Sequence, residues 1–444
     1  MAIKVGMISL GCSKNQVDGE KMLALLRQEG MEICPNAEEC DAIIVNTCGF
    51  IEDAKKESLE AIFETSQLKK KGRLKSVVVT GCLAERYRQE LADEIPEADV
   101  VLGIGSNHRI AEAVRRAVEE KKRVVSFGHK EDLSLEGDRI LANAPYYAYL
   151  KVAEGCSNRC SFCAIPLIRG DFRSRRMEDI VAEARMLADR GVKELNVVAQ
   201  DTTRYGDDLY GKLMLPELLR QLCRIEKIHW VRILYCYPDR VTDELLDVMR
   251  EEEKIVKYMD IPIQHVNGRI LAAMNRRGDE ASLKALCRHI REKVPGVVLR
   301  TTLIAGLPGE TEEDFEELCR AVEEIRFERL GCFSYSVEED TPAAGMEGQL
   351  DEEVKRRRAD VVMEVQQRVA QSVNEGFLGR TFEVAVEGTD PETGRYFGRS
   401  YMDAPDIDTR VYFTSRRRLQ AGDFVPVKVT ASEGYDLAGE EVEA

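Results

Sequence analysis

Apolar and polar positions along the chain follow two regular rhythms and one irregular one. Through residues 1–140, short runs rich in Val and Ile ("IKVGMISLGC", "DAIIVNTC", "SVVVTGC") are each followed by a helical stretch. In "KMLALLRQEG" the apolar positions recur at helical spacing and Gly30 supplies a C-cap. Continuous β-branched runs separated by helices predict a parallel sheet covered on both faces. A polar stretch suited to a linker follows, "GHKEDLSLEGDRILANAPYY", and the rhythm then resumes over residues 141–375. The predicted strands there are "YAYLKVA", "ELNVVAQ", "WVRILYCY", "KYMDIPIQ", "VVLRTTLIAG" and "RLGCFSYS". Helical stretches such as "MEDIVAEARMLADRG" and "TEEDFEELCRAVEEIRF" lie between them, the second opened by Thr311 and Asp314 at capping-box spacing. Six such repeats predict a partial (β/α)6 barrel, open and short of eight strands. Over residues 376–444 the rhythm changes: "FEVAVEG", "YFGRSYMDAP", "RVYFT" and "DFVPVKVTA" are short strands divided by Gly, Asp and Pro turns. They predict a small antiparallel β-barrel, read as a substrate-docking domain. The fold class is α/β in three domains.

Composition narrows the function. A chain of 444 residues with 44% hydrophobic and 32% charged residues is an ordinary multi-domain globular protein. No apolar run approaches the ~20 residues of a membrane span, and "MAIKVGMISLGC" lacks a signal peptide's charged and apolar regions. The expected compartment is therefore the cytoplasm. In reducing surroundings 13 cysteines are not expected to form a disulfide framework, and clustered thiols there serve metal binding or catalysis. A net charge of -16 excludes a general nucleic-acid binder. From Gly376 onward, 8 Lys/Arg stand against 13 Asp/Glu, a net of 8 − 13 = −5, with acidic groups in "DAPDID" and "GEEVEA". Such a domain is expected to repel RNA and attract a basic partner. Arg416, Arg417 and Arg418 run the other way, as cations for a phosphate or for the domain's own carboxylates.

The cysteines fall into two patterned sets. Cys12, Cys48 and Cys82 each close a strand of the first domain. Carboxyl ends of parallel strands lie along one edge, so these three thiols are expected to converge. The competing reading, three small buried hydrophobes, does not explain one shared relative position. The second set is local: "EGCSNRCSFCAIPLIRG" crowds Cys156, Cys160 and Cys163 into eight positions after the first barrel strand. Gly155, Asn158 and Pro166 predict a loop there. A structural zinc site takes four ligands, commonly as two pairs. Only Cys160 and Cys163 form such a pair, and His129 and His229 have no ligand spacing. A 4Fe-4S cluster is held by thiolates, and three of them leave one iron open. Cys34, Cys40, Cys223, Cys236, Cys287, Cys319 and Cys332 are unpatterned and read as structural, Cys236 being noted because it ends a strand. The remaining barrel strands end at Gln200-Asp201, Tyr235 to Tyr237, Gln264-His265, Gly306 and Tyr335. His265 reads as a core histidine, "VKRRRAD" as a solvated helix face, and "LGIGSN" as too short for a nucleotide motif.

The spacing C-x3-C-x2-C, with Phe162 before the last cysteine, resembles the radical S-adenosylmethionine superfamily. Together with the first-domain cysteines, the chain is similar to the methylthiotransferases over its whole length. "GCSKNQVDGEKM", "VNTCGFIEDAKKES", "TGCLAERY", "TTLIAGLPGETEEDF" and the TRAM-like carboxyl-terminal strands carry that resemblance. It implies that Cys156, Cys160 and Cys163 hold one 4Fe-4S cluster, on which S-adenosylmethionine chelates. It also implies that Cys12, Cys48 and Cys82 hold a second, auxiliary 4Fe-4S cluster whose open iron carries an added sulfide. Phe162, Gln200, Gly306 and Gly309 are the residues expected at the cofactor, the two glycines as a close backbone approach or as turn chemistry. No catalytic residue is expected beyond the cluster ligands. "AQDTTRYGDDLYG", "LYCYPDRVTDELLDVM", "YMDIPIQH" and "DAPDIDTRVYF" are similar to the branch that methylthiolates the β-carbon of an aspartate in ribosomal protein S-twelve. A tRNA adenosine is the alternative substrate, and a thiol-rich zinc protein docking to the ribosome is the third reading. The implied partners are ribosomal protein S-twelve and an electron donor such as a flavodoxin or ferredoxin, with the sulfur donor open. Gly19 stands where the resemblance leads one to expect Ser, and reads as a surface helix position.

Overall fold

The computed structural model describes residues 2–443. The first domain alternates β1 (Lys4–Ser9), α1 (Ser13–Gln28), β2 (Glu32–Ile33), β3 (Ala42–Thr47), α2 (Glu52–Lys71), β4 (Ser76–Gly81) and α3 (Cys82–Glu94). It closes with β5 (Val100–Leu102), α4 (Ile110–Glu119) and β6 (Val124–Ser126). All six strands are parallel, in the order β2-β1-β3-β4-β5-β6. Every residue of β3 and β4 is buried, as a run such as "AIIVNT" requires when helices cover both faces. Strand order reverses between β1 and β3, and at such a switch point the strand ends part to leave a crevice. Three short strands, β2, β5 and β6, were not apparent from the sequence pattern. Gly19 is a correction: it is buried under β1, where a Cβ would lie 3.0 Å from Met7 Sδ and 3.2 Å from Asn46 Nδ2.

The central domain opens with β7 (Tyr147–Lys151), β8 (Ala153–Glu154), α5 (Ile165–Arg169), β9 (Arg173–Ser174), α6 (Met177–Asp189) and β10 (Glu194–Val198). It continues through α7 (Asp207–Tyr210), α8 (Leu215–Cys223), β11 (Trp230–Ile233), α9 (Asp243–Glu251), β12 (Ile255–Asp260) and α10 (Gly268–Ala273). Then come α11 (Glu280–Lys293), β13 (Val298–Ala305), α12 (Glu312–Ile325), β14 (Arg329–Ser334) and the long α13 (Glu352–Glu375). The six parallel strands lie in the order β14-β13-β12-β11-β10-β7, an open partial barrel with the expected strand count. Thr311 caps α12 in a capping box with Asp314, as its spacing predicts. The "VKRRRAD" stretch of α13 departs from expectation. Lys355 is only 1% exposed and Arg358 7%, because α13 covers β13 and β14. Arg358 is neutralised by Glu310 (2.8 Å) and Glu312 (3.0 Å), and Lys355 lies over the Tyr335 ring.

The third domain is a closed barrel, β15 (Thr381–Thr389), β16 (Tyr396–Ser400), β17 (Val411–Thr414), β19 (Asp436–Glu441) and β18 (Phe424–Glu433) in spatial order. Its pairing is antiparallel except between β17 and β19, which run parallel. β19 escaped the sequence reading because "DLAGEE" carries more charge than apolar signal. The barrel seats on an aromatic floor of the central sheet, Tyr147, Tyr149, Trp230 and Tyr258 packing with Val384 and Phe413. This docking overturns the reading of "DAPDID" as a partner surface. Asp403 accepts from Arg329 (2.7 Å), Asp406 from the Tyr147 and Tyr149 hydroxyls (3.0 Å each), and Asp408 from the Tyr258 hydroxyl (2.6 Å). Arg417 pairs with Glu441 at 2.6 Å, within the domain. Among the described residues no helix is long and apolar enough to cross a membrane.

Candidate active site

The first thiol triad is delivered by topology. Cys12 is the N-cap of α1, Cys48 follows β3, and Cys82 is the first residue of α3. β1, β3 and β4 are adjacent, so three residues far apart in sequence meet at one sheet edge. Gly11 permits the approach: its φ is +83°, and a Cβ there would lie 2.8 Å from Cys48 Cβ. The Asn15 amide donates to the carbonyls of Leu10 (2.8 Å), Thr47 (3.2 Å) and Asn46 (3.3 Å), locking the two strand ends together.

The second triad is delivered by one loop. Beyond β8, Gly155 turns the chain with φ +70°, where a Cβ would meet Asp171 O at 2.2 Å. The Cys156 amide then donates to Gly170 O (3.0 Å) and the Cys163 amide to Cys160 O (3.1 Å). From the opposite side of the open barrel, Met274 O accepts from the Ser161 amide (3.0 Å) and the Asn275 side chain donates to Arg159 O (2.9 Å). These bonds pin the loop at both flanks.

Both triads face one cavity of ≈ 300 Å³, lined by all six cysteines. Phe162, Gln200, Tyr235, Tyr237, Gln264 and Arg276 share its wall with Lys14 and Arg169. No carboxylate is among the residues that line it. Gln200 Nε2 and Gln264 Oε1 have no hydrogen-bond partner, which leaves a donor and an acceptor free at the wall. Cys236 lies in the wall and is fully buried, while Phe162 packs on the barrel core.

Charge divides the triads. Arg169 is buried at the end of α5 and reaches across the domain boundary to Cys82 Sγ at 3.3 Å. Its guanidinium also holds Asp18 (2.9 Å) and Glu154 (3.0 Å), and Lys151 joins the same two carboxylates. Burial opposes ionisation of Cys12, but the Lys14 and Arg169 charges and the Asn15 and Lys14 amides win and hold its thiol below the ordinary range. Burial pushes Cys48 up to about 12, with the Cys82 thiol adding to it, and raises Cys82 against the pull of Arg169. In the barrel loop burial lifts Cys156 to about 11 and Cys163 further. Arg276 is the nearest cation, its guanidinium 3.7 Å from Cys160 Sγ and stacked on the Tyr237 ring.

Most of these thiols would stay protonated alone, so thiolate character there calls for added positive charge, as a metal centre supplies. Among the described residues no group of three or more His, Cys, Asp or Glu side chains is arranged to hold a single metal ion. Two all-thiol triads around a shared cavity, with unsatisfied amides at its wall, fit polynuclear iron–sulfur groups and a small polar cofactor between them.

Gly306 and Gly309 are not among the cavity residues. Gly306 has φ +85° and faces α13, where a Cβ would lie 2.4 Å from Lys355 Cγ. The Gly309 amide donates to Gly348 O at 2.8 Å. Both glycines therefore serve the β13–α12 turn and its contact with α13. His265 is a buried core histidine, as expected; burial lowers it to about 4. The sequence reading missed Lys14, Arg169 and Arg276 at the cavity. Their one sequence signal is proximity to cysteines or strand ends, which Lys14 and Arg169 share with many bystanders.

Residues 4–103 match the family described as "Uncharacterized protein family UPF0004", residues 150–322 the "Radical SAM superfamily" and residues 378–442 the "TRAM domain". In fold the chain is similar to the radical S-adenosylmethionine methyltransferase TsrM from Kitasatospora setae, with TM-score 0.56 and 16% identity over 77% of each chain. It is 50% identical over 98% of its length to the "Ribosomal protein uS12 methylthiotransferase RimO" of Thermoanaerobacter sp., covering 99% of that protein. Identity is 52% with the protein of that name in Caldanaerobacter subterraneus subsp. tengcongensis, again over 98% and 99% of the two chains. It is 50% with that of Pelotomaculum thermopropionicum, over 100% of both. With a first-domain triad, a partial barrel bearing the C-x3-C-x2-C loop and a terminal β-barrel on one cavity-centred plan, the chain belongs to the radical SAM methylthiotransferases of the RimO family.

Proposed function

We propose that this enzyme attaches a methylthio group to the β-carbon of an aspartate in ribosomal protein S-twelve, using two 4Fe-4S clusters and S-adenosylmethionine. The substrate assignment rests on the relatives' shared name and near full-length identity. The observation that carries the two-cluster reading is the pair of thiol triads lining one ≈ 300 Å³ cavity. When bound, a reduced cluster with S-adenosylmethionine supplies the one-electron chemistry that removes hydrogen from an unactivated carbon.

The chain's own residues do the rest. Cys156, Cys160 and Cys163 would hold a 4Fe-4S cluster, which with three thiolates would have one iron open to a chelating amine and carboxylate. Gln200 Nε2 and Gln264 Oε1 offer the donor and acceptor that orient such a ligand. Phe162, Tyr235 and Tyr237 line the apolar part of the wall and keep water from the reacting carbon. Cys12, Cys48 and Cys82, lining the same cavity, would hold the group that carries the sulfur to be transferred. Arg169 keeps positive charge beside Cys82: against the opposing effect of burial, Cys82, Glu154 and Asp18 hold its guanidinium well above the ordinary range.

Incubation of the reconstituted enzyme with S-adenosylmethionine, sulfide, reductant, ribosomal protein S-twelve and bulk tRNA tests the proposal. Mass spectrometry should find a methylthio group on one aspartate and none on tRNA. A modified adenosine with the protein unchanged contradicts it.

A further inference from the structure

Lys14 is 3% exposed and opens into the cavity that both triads line. Its ammonium stands 3.2 Å from the centre of the Tyr235 ring. Among the described residues it makes no ion pair and no side-chain hydrogen bond, unlike the other cations of this wall. Arg169 is held by Asp18 and Glu154, and Arg276 donates to Pro262 O at 2.6 Å.

Its placement has two electrostatic costs. An ammonium that faces a narrow cavity with no counter-ion gives up part of its hydration. It also sits in the first turn of α1, where the helix macrodipole is positive and a cation is disfavoured. The α1 first turn carries no acidic residue to offset this. The charge bears on the neighbouring Cys12 thiol, and no carboxylate of the cavity offsets it. The ring itself is held in place: Tyr235 has φ +60°, its amide donates to Asp260 Oδ2 (2.9 Å), and its carbonyl accepts from the Thr202 amide (3.0 Å). The Asn15 clamp fixes α1 from the other side. A cation over a fixed aromatic ring, in a cavity without carboxylates, is suited to a small anionic group.

We infer that Lys14 is the specificity-determining anchor of this site, pairing its ammonium with the side-chain carboxylate of the substrate aspartate and so presenting the β-carbon between the two triads. This rests on the substrate reading above. The pairing also explains discrimination: an asparagine or a neutral base would leave the ammonium without a counter-charge.

The test is anaerobic calorimetry of the reconstituted enzyme, without reductant, against two peptides from the target loop of ribosomal protein S-twelve. One carries the aspartate and the other an asparagine in its place. Wild-type enzyme should prefer the aspartate peptide by about 30-fold, the scale of a buried charge-assisted hydrogen bond. Lys14→Gln should bring the aspartate peptide down to the asparagine level with iron content unchanged, and Lys14→Arg should restore part of the preference. A Lys14→Gln enzyme that keeps the preference, weakens both peptides alike or loses iron overturns the anchor alone. A wild-type enzyme that binds neither peptide overturns the substrate reading and the anchor with it.

Discussion

The two thiol triads reach the same cavity by opposite routes. Cys156, Cys160 and Cys163 come from one loop of eight positions, clipped by backbone hydrogen bonds to Gly170 and Met274. Cys12, Cys48 and Cys82 come from three strand ends of a sheet, and depend on strand order for their meeting. The electrostatics differ in the same sense. The sheet-edge triad leans on a buried ionic network of Arg169, Lys151, Asp18 and Glu154 that crosses the domain boundary. The loop triad has Arg276 beside Cys160 and, behind it through Asn158, the Asp201–Arg240 pair, all within the barrel domain. A locally encoded site tolerates change elsewhere, whereas a topologically encoded one depends on the packing of two domains.

The largest expected effect separates the triads by function. Replacing Cys156, Cys160 and Cys163 by Ala should abolish formation of 5′-deoxyadenosine from S-adenosylmethionine. Replacing Cys12, Cys48 and Cys82 should leave that product and stop methylthio transfer. Chromatography of both products decides it, and equal losses in the two variants would erase the distinction.

Next is the ionic network. Arg169→Met leaves Asp18 and Glu154 with Lys151 alone and should cost about 3 kcal/mol in urea unfolding. Arg276→Met should cost about 1 kcal/mol, since it removes one carbonyl bond and one thiol contact. Comparable costs would show that the two triads are supported alike.

Acid should reach the two halves in sequence. His265 follows Gln264 beside the loop triad, and burial lowers it to about 4. The unfolded chain therefore binds more protons between pH 6.5 and 4, and stability is lost as pH falls through that window, by up to about 3 kcal/mol. Where α6 of the barrel meets α1 through Arg139, Glu183, against the opposing effect of burial, is lowered to about 2 by Arg175 and Arg139. Its contribution is present above about pH 4.5 and is lost only as pH falls toward 2. Stability of wild type and His265→Gln across pH 7 to 4 checks the first window; an unchanged slope in the variant would contradict it. The smallest effect is a control remote from both triads. Thr311→Ala removes the α12 cap and should cost about 1 kcal/mol without changing iron content.

The same contrast governs what could be read from the sequence. The loop triad is legible from spacing alone, because its geometry is local. The sheet-edge triad is legible only through the inference that Val- and Ile-rich runs form parallel neighbours, which their order β1-β3-β4 bears out. All six barrel strands were visible as apolar runs, while β2, β5 and β6 span only two or three residues and leave no periodic signal. Charged residues were the weakest guide. "DAPDID" and "VKRRRAD" looked solvent-facing, yet Asp403, Lys355 and Arg358 are buried against partners tens of residues away in sequence. Pairing of that kind is set by tertiary packing within and between domains, which composition does not encode. Lys14 was invisible for the same reason: nothing in "GCSKNQ" says that its ammonium lacks a partner.

Iron and acid-labile sulfide counted per chain after anaerobic reconstitution test the two-triad account most directly. Wild type should hold about eight irons and each triple cysteine variant about four, as two thiolate-held 4Fe-4S clusters require. About four irons in the wild type, or a full complement in either variant, would contradict it.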